Sequence, residues 1–309
     1  MKKINYLPSS GLRAAVEVAR DLQMPLLLTG EPGTGKTQLA YWVAEALLGG
    51  KWEDVLRFNT KTTSVAKDLF YRYDALRHFR DASRDKQDAI KVLDYVHFEA
   101  LGKAILAAGQ QHHVVLIDEI DKAPRDFPND VLFEFEEMAF RVEEALPRDF
   151  EDYDFSQKPE FQEMQAKVGP VRPQQGVIRL PENAPKPLLI LTSNSEKNLP
   201  DAFLRRCVFY HISFPDAGSL QEIVAKNLPL SPAYKKALDK MVAKFIEIRN
   251  LNLRKPPATA ELVRWIEILE KRNIDWEKLE AGDQAMRNIL ISTYPVLAKN
   301  TDDLEKISK

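Results

Sequence analysis

Short apolar runs alternate with helical patterns up to about residue 214. The runs are Leu26-Leu27-Leu28, Val55–Phe58, Val114–Ile117, Leu188–Leu191 and Val208–Phe214, each bounded by turn residues. Runs this short, with such boundaries, predict strands buried on both faces, as in a parallel sheet. Between the first two, Leu39, Ala40, Val43, Ala44 and Leu47 recur at helical spacing and predict a helix over Thr37–Leu48. Strand–helix alternation of this kind predicts a doubly wound α/β sheet.

Beyond Phe214-Pro215 the strands give way to helices, predicted over Ser219–Leu228, Ala233–Arg249, Ala258–Arg272 and Gln284–Tyr294. In the third, Leu262, Trp265, Ile266 and Leu269 line one stripe. The change of texture places a boundary near residue 215, between an α/β domain over 1–214 and a small all-helical domain over 215–309. Residues 143–186 fit neither pattern. They carry eight prolines and glycines between Pro147 and Pro185, and the acidic run Asp149, Glu151, Asp152, Asp154. This exceeds an ordinary connection, and reads either as a solvated surface insertion or as a moving, partner-contacting element.

A length of 309 residues agrees with two domains. The 44% hydrophobic and 29% charged content is that of a globular chain and excludes a disordered or fibrous one. A formal net charge of −2 gives no whole-chain field for nucleic acid or anionic lipid, leaving a local basic groove as the only electrostatic route to either. Cys207 is the only cysteine, which rules out an intramolecular disulfide and argues against a cysteine zinc cluster. The first residues lack a signal-length apolar stretch, and no segment nears the roughly 18 apolar residues of a membrane helix. The expectation is a cytoplasmic protein without membrane insertion. His112 and His113 have no metal-ligand spacing around them, and Trp42, Trp52, Trp265 and Trp276 read as packing residues.

The chemistry begins at Gly30-Glu31-Pro32-Gly33-Thr34-Gly35-Lys36-Thr37, which satisfies G-x-x-x-x-G-K-[ST] between a predicted strand and a predicted helix. Glycines let the backbone turn its amides toward phosphate oxygens, and the helix N-terminus adds partial positive charge. Lys36 supplies a full charge to the β- and γ-phosphates of a bound nucleotide, and the Thr37 hydroxyl can ligate Mg2+. The run Val114–Ile117 ends in Asp118-Glu119. Carboxylates at the end of a buried strand cost desolvation and so should face a cation or ligand. Asp118 is assigned to Mg2+ and Glu119 to the attacking water as general base. Asp121 reads as a solvated or capping residue. Leu188–Leu191 leads to Asn194, placed to bond the γ-phosphate or orient the water. Asn59 ends another strand at the same edge, where it either holds Glu119 inactive or caps the strand. Arg205 and Arg206 lie either on solvated surface or against a neighbouring subunit's γ-phosphate.

These features in this order, followed by helices, resemble AAA+ ATPases over roughly residues 5–295. The strings Gly30–Thr37, Leu116–Pro124, Asp130–Met138 and Leu199–Cys207 are similar to the MoxR-type branch. The resemblance implies a P-loop NTPase three-layer parallel sheet with a small all-helical lid. It also implies a ring, usually a hexamer, binding nucleotide between subunits, and chaperone-like remodelling, often with a von Willebrand factor A domain partner. Arg206 matches the arginine of the family's L-x-R-F-like turn and is the first choice for a finger acting in trans, with Arg205 second. The segment of about 141–186 corresponds to an insertion near the pore, interrupting a hairpin. Phe70–Arg80 belongs either to the pore or to an interface helix. One departure stands out: relatives carry a lid arginine at the slot near Ala260, and here only Arg254, Lys255 or Arg264 are at hand. Two other functions compete, a nucleic-acid-directed motor of a defence system and a nucleotide-dependent assembly switch with slow turnover.

Overall fold

The computed structural model describes residues 6–49, 55–84, 91–107, 113–164, 171 and 173–309. His112 and Trp52 lie outside these residues. The chain forms two compact units. The larger holds residues 8–29 and 36–211; the other holds the described residues up to Leu7, residues 30–35 and residues 212–309.

The strands follow one another as β1 (Leu26–Gly30), β2 (Val55–Asn59), β3 (Tyr71–Tyr73), β4 (Val96–Phe98), β5 (Val114–Asp118), β6 (Ala139–Arg141), β7 (Val177–Arg179), β8 (Leu188–Ser193) and β9 (Val208–Ile212). The helices of the larger unit are α1 (Ser10–Leu22), α2 (Lys36–Ala46), α3 (Ala75–Arg84), α4 (Ala100–Leu106), α5 (Phe127–Glu137), α6 (Pro159–Glu163) and α7 (Asp201–Leu204). The five apolar runs form one parallel sheet in the order β2-β5-β8-β1-β9. The three inner strands are buried at every position, which is why they read as unbroken apolar runs. Full burial of each of Leu26, Leu27 and Leu28 contributes about 1.5–3 kcal/mol. Edge strand β2 exposes Arg57 and Asn59. The parallel register pairs Asn59 with Asp118, Ile117 with Leu191, and Leu28 with Thr192, so the carboxyl ends of these strands finish level.

Two antiparallel pairs form separate two-stranded sheets, β3 with β4 and β6 with β7. Residues 150–161, between β6 and β7, are not a solvated loop, which corrects that reading for this part of the segment. Phe150, Phe155 and Phe161 are buried. Phe155 and Phe161 each lie 5.9 Å from Phe98 between ring centroids, within aromatic contact range. Lys158 is buried among them. Its Nζ donates to the Val96 carbonyl at 2.5 Å and sits over the Phe98 and Tyr153 rings; burial lowers its pKa. The stretch Phe70–Arg80 divides: Phe70 and Tyr71 are core, while Leu76 and Phe79 on α3 are exposed.

The second unit contains α8 (Ala217–Asn227), α9 (Pro232–Lys236), α10 (Leu238–Arg249), α11 (Thr259–Lys271), α12 (Trp276–Glu280), α13 (Gln284–Ile291) and α14 (Thr301–Ser308). Asp216 caps α8 by accepting the Ser219 N–H at 2.8 Å. The predicted helix Ala233–Arg249 is broken at Ala237, whose φ of −95° and ψ of 6° end α9. Leu220, Val242, Phe245, Leu262, Trp265 and Ile266 are fully buried and form the centre of its core. The Trp265 indole donates to Thr293 Oγ1 at 2.8 Å. No described helix is long and apolar enough to cross a membrane.

Candidate active site

Lys36 is the first residue of α2 and is 6% exposed. Thr37 follows it, and its hydroxyl donates to Asp118, 3.2 Å from Oδ1 and 3.4 Å from Oδ2. Asp118, the last residue of β5, is 7% exposed. Its Oδ1 also accepts the Thr192 hydroxyl at 2.5 Å, and its Oδ2 accepts Arg57 Nη2 at 2.5 Å.

Glu119 leaves the strand in the left-handed region, with φ 58° and ψ 52°. Such backbone costs a non-glycine residue roughly 1–2 kcal/mol. It is held there by its N–H, which donates to Thr192 Oγ1 at 2.9 Å. Thr192 therefore touches both acids, accepting from the backbone of Glu119 and donating to the carboxylate of Asp118. The Glu119 carboxylate accepts Asn194 Nδ2 at 3.3 Å through Oε1 and pairs with Lys122 through Oε2. That pairing holds the Lys122 ammonium above its usual pKa. The structure thus brings Thr37 to Asp118 and Asn194 to Glu119.

One of the two readings of Asn59 is corrected. Asn59 does not hold Glu119; Lys122 and Asn194 do. Of the two readings of Asp121, solvated or capping, the capping one holds: it is 2% exposed, and its Oδ2 accepts the N–H groups of Asn194 (3.1 Å) and Glu196 (2.9 Å). It fixes the turn that carries Asn194. Arg206 bonds Glu136 Oε1 of α5 at 2.9 Å, with both side chains more than half exposed. Arg205 makes no side-chain hydrogen bond or ion pair among the described residues. Cys207 is buried, and its thiol is pushed up to about 12. Among the described residues no cluster of His, Cys, Asp and Glu is fit for a metal.

Within the second unit, Gly33 and Gly35 have φ of +78° and +90°. A Cβ at Gly33 would stand 2.8 Å from Ala258 Cβ, and one at Gly35 2.6 Å from the Tyr6 ring, so only glycine fits. Thr34 Oγ1 donates to the Glu31 carbonyl at 2.8 Å, and Pro32 lies in the same turn. The Glu31 carboxylate pairs with Arg249 of α10. That guanidinium also donates to the Pro257 carbonyl at 2.6 Å and stacks 3.6 Å from the Phe214 ring centroid. The lid cation that engages the loop is therefore Arg249. Arg254 instead pairs with Asp302 at 3.0 Å.

Arg57, Thr192, Lys122 and Arg249 were not among the residues expected from sequence. Arg57 had a visible signal, as a lone cation inside an apolar run; Thr192 had a weaker one, in the polar end of another. The donors around Asp118 suit Mg2+: a hydroxyl and a carboxylate are hard oxygen ligands, and this buried carboxylate already draws a cation. Lys36 at the start of α2 suits phosphate.

A parallel sheet with a G-x-x-x-x-G-K-T turn leading from its strand β1 into helix α2 defines the α/β P-loop class. The chain matches the AAA domain (dynein-related subfamily) over residues 25–207, more than half its length, and it belongs to that family of AAA+ ATPases. No curated protein matches the chain.

Proposed function

We propose that this protein is an ATP-hydrolysing motor that works in the cytoplasm as a ring, a hexamer like that of MoxR-type members, and remodels a protein partner. The observation that carries hydrolysis is the Glu119–Asn194 pair, placed one residue beyond Asp118 on level strand ends. Mg2+, held by Thr37 and Asp118, would neutralise charge on the β- and γ-phosphates. Lys36 binds those phosphates, aided by the α2 N-terminus. Glu119, once released by Lys122, accepts the proton of the attacking water. Asn194 keeps the other oxygen of that carboxylate in place. Arg206 remains the first choice for the finger in trans. Its bond to Glu136 joins two exposed side chains and is worth about 0–1 kcal/mol, a small obstacle to exchange. Arg205 is the alternative. The MoxR-like strings favour a von Willebrand factor A domain protein as partner.

Two variants test the chemistry. Lys36→Ala is expected to abolish ATP binding in calorimetry, and retained affinity would remove the nucleotide site from these residues. Glu119→Gln is expected to bind ATP with Mg2+ yet hydrolyse it at least ~100-fold more slowly, the scale of losing a general base. Wild-type turnover in that variant would end the assignment. Affinity capture with the same variant tests for the protein partner.

A further inference from the structure

The two oxygens of Asp118 are used differently. Oδ1 accepts the Thr192 and Thr37 hydroxyls, at 2.5 and 3.2 Å. Oδ2 has Thr37 at 3.4 Å and a guanidinium nitrogen of Arg57 at 2.5 Å. Arg57 comes from edge strand β2, two residues before the position in register with Asp118. Among the described residues it has no other hydrogen-bond partner, so it spends one of several N–H groups where a guanidinium ordinarily pairs two. Its side chain is 39% exposed, against 9% for that of Asp118. A buried carboxylate without a cation is costly. This one has a cation attached by one bond, on its open side, from a solvent-facing edge.

We propose that Arg57 is a resident counter-cation for the metal half of the site. It neutralises Asp118 while the site is empty and yields Oδ2 to the divalent cation that accompanies the nucleotide. This rests on the reading of Thr37 and Asp118 as the metal-holding pair of a nucleotide site. Guanidinium and metal then compete for one oxygen, and the empty protein holds metal weakly.

The test uses Mn2+ alone as probe on the full nucleotide-free chain, with free Mn2+ read by electron paramagnetic resonance. Arg57→Gln is expected to bind Mn2+ about tenfold or more tightly than wild type, the scale of one charge-assisted hydrogen bond. Its thermal midpoint should fall without metal and return to the wild-type value with Mn2+. Arg57→Lys should show a smaller gain in the same direction, and it decides alone if the glutamine variant does not fold. Unchanged or weaker Mn2+ binding overturns the proposal, as does a metal-free midpoint at or above wild type. ATP calorimetry on the same samples separates the two readings. Wild type without Lys36-dependent ATP binding refutes the nucleotide site itself, whereas normal ATP binding with unchanged Mn2+ affinity refutes the role of Arg57 only.

Discussion

Lys122 ties up the carboxylate that the proposed chemistry needs free. Its side chain is 40% exposed and that of Glu119 39%, so solvent screens the pair to about 0.2–1 kcal/mol. Releasing it is worth up to about fivefold in rate. Lys122→Met is therefore expected to raise ATP turnover a few-fold at saturating ATP; an unchanged or lower rate would show that Lys122 aids the chemistry instead. Glu119 raises the pKa of Lys122, so the ammonium stays charged to higher pH than usual. At this scale the sequence reveals residues whose type and spacing are themselves the requirement, such as Gly30–Thr37 and Asp118-Glu119. It hides residues that act through strand register. Thr192 meets Asp118 only because β5 and β8 pair, and Arg57 only because β2 ends level with β5. The capping of Asp121 was legible as one of two readings, but its burial was not, because nothing in its neighbours announces a buried turn.

Helix α10 matters through its last residue, Arg249, which engages a loop residue far away in sequence. Loss of that guanidinium removes a positive charge beside the proposed phosphate loop and breaks its pair with Glu31. Arg249→Met is expected to weaken ATP binding by about three- to tenfold, the effect of a coupling near ~0.5–1.5 kcal/mol. In a Glu31→Gln background the loss should shrink toward nothing. Fully additive losses in calorimetry would mean that Arg249 serves only to brace Phe214 and Pro257. The inner strands were legible because burial on both faces leaves no polar position within the run. Three-residue strands such as β3, β4, β6 and β7 carry too few positions for a period. Phe150, Phe155 and Phe161 are spaced like neither helix nor strand, so a segment built into the core resembles a loop. The break at Ala237 involves neither glycine nor proline at that position.

For the whole molecule, the proposed ring and trans finger make a joint test. Arg206→Ala subunits should still bind ATP but lose up to ~10³-fold or more in turnover if the finger stabilises the transition state. Lys36→Ala subunits are expected to be inactive for the opposite reason. Mixing the two should restore part of the activity, because some interfaces then join an intact site to an intact finger. No recovery in mixed rings verified by mass measurement would transfer the role to Arg205. The strand order has a consequence for synthesis. β1 is the first strand made, yet its neighbours in the sheet, β8 and β9, are the last. A chain leaving the ribosome carries Leu26-Leu27-Leu28 with both backbone edges open until nearly all of the larger unit has emerged. Open apolar edges are templates for aggregation. A chain cut short before Leu188 leaves β1 with no partner in this sheet, and a nascent chain must be shielded over that interval or translated quickly through it.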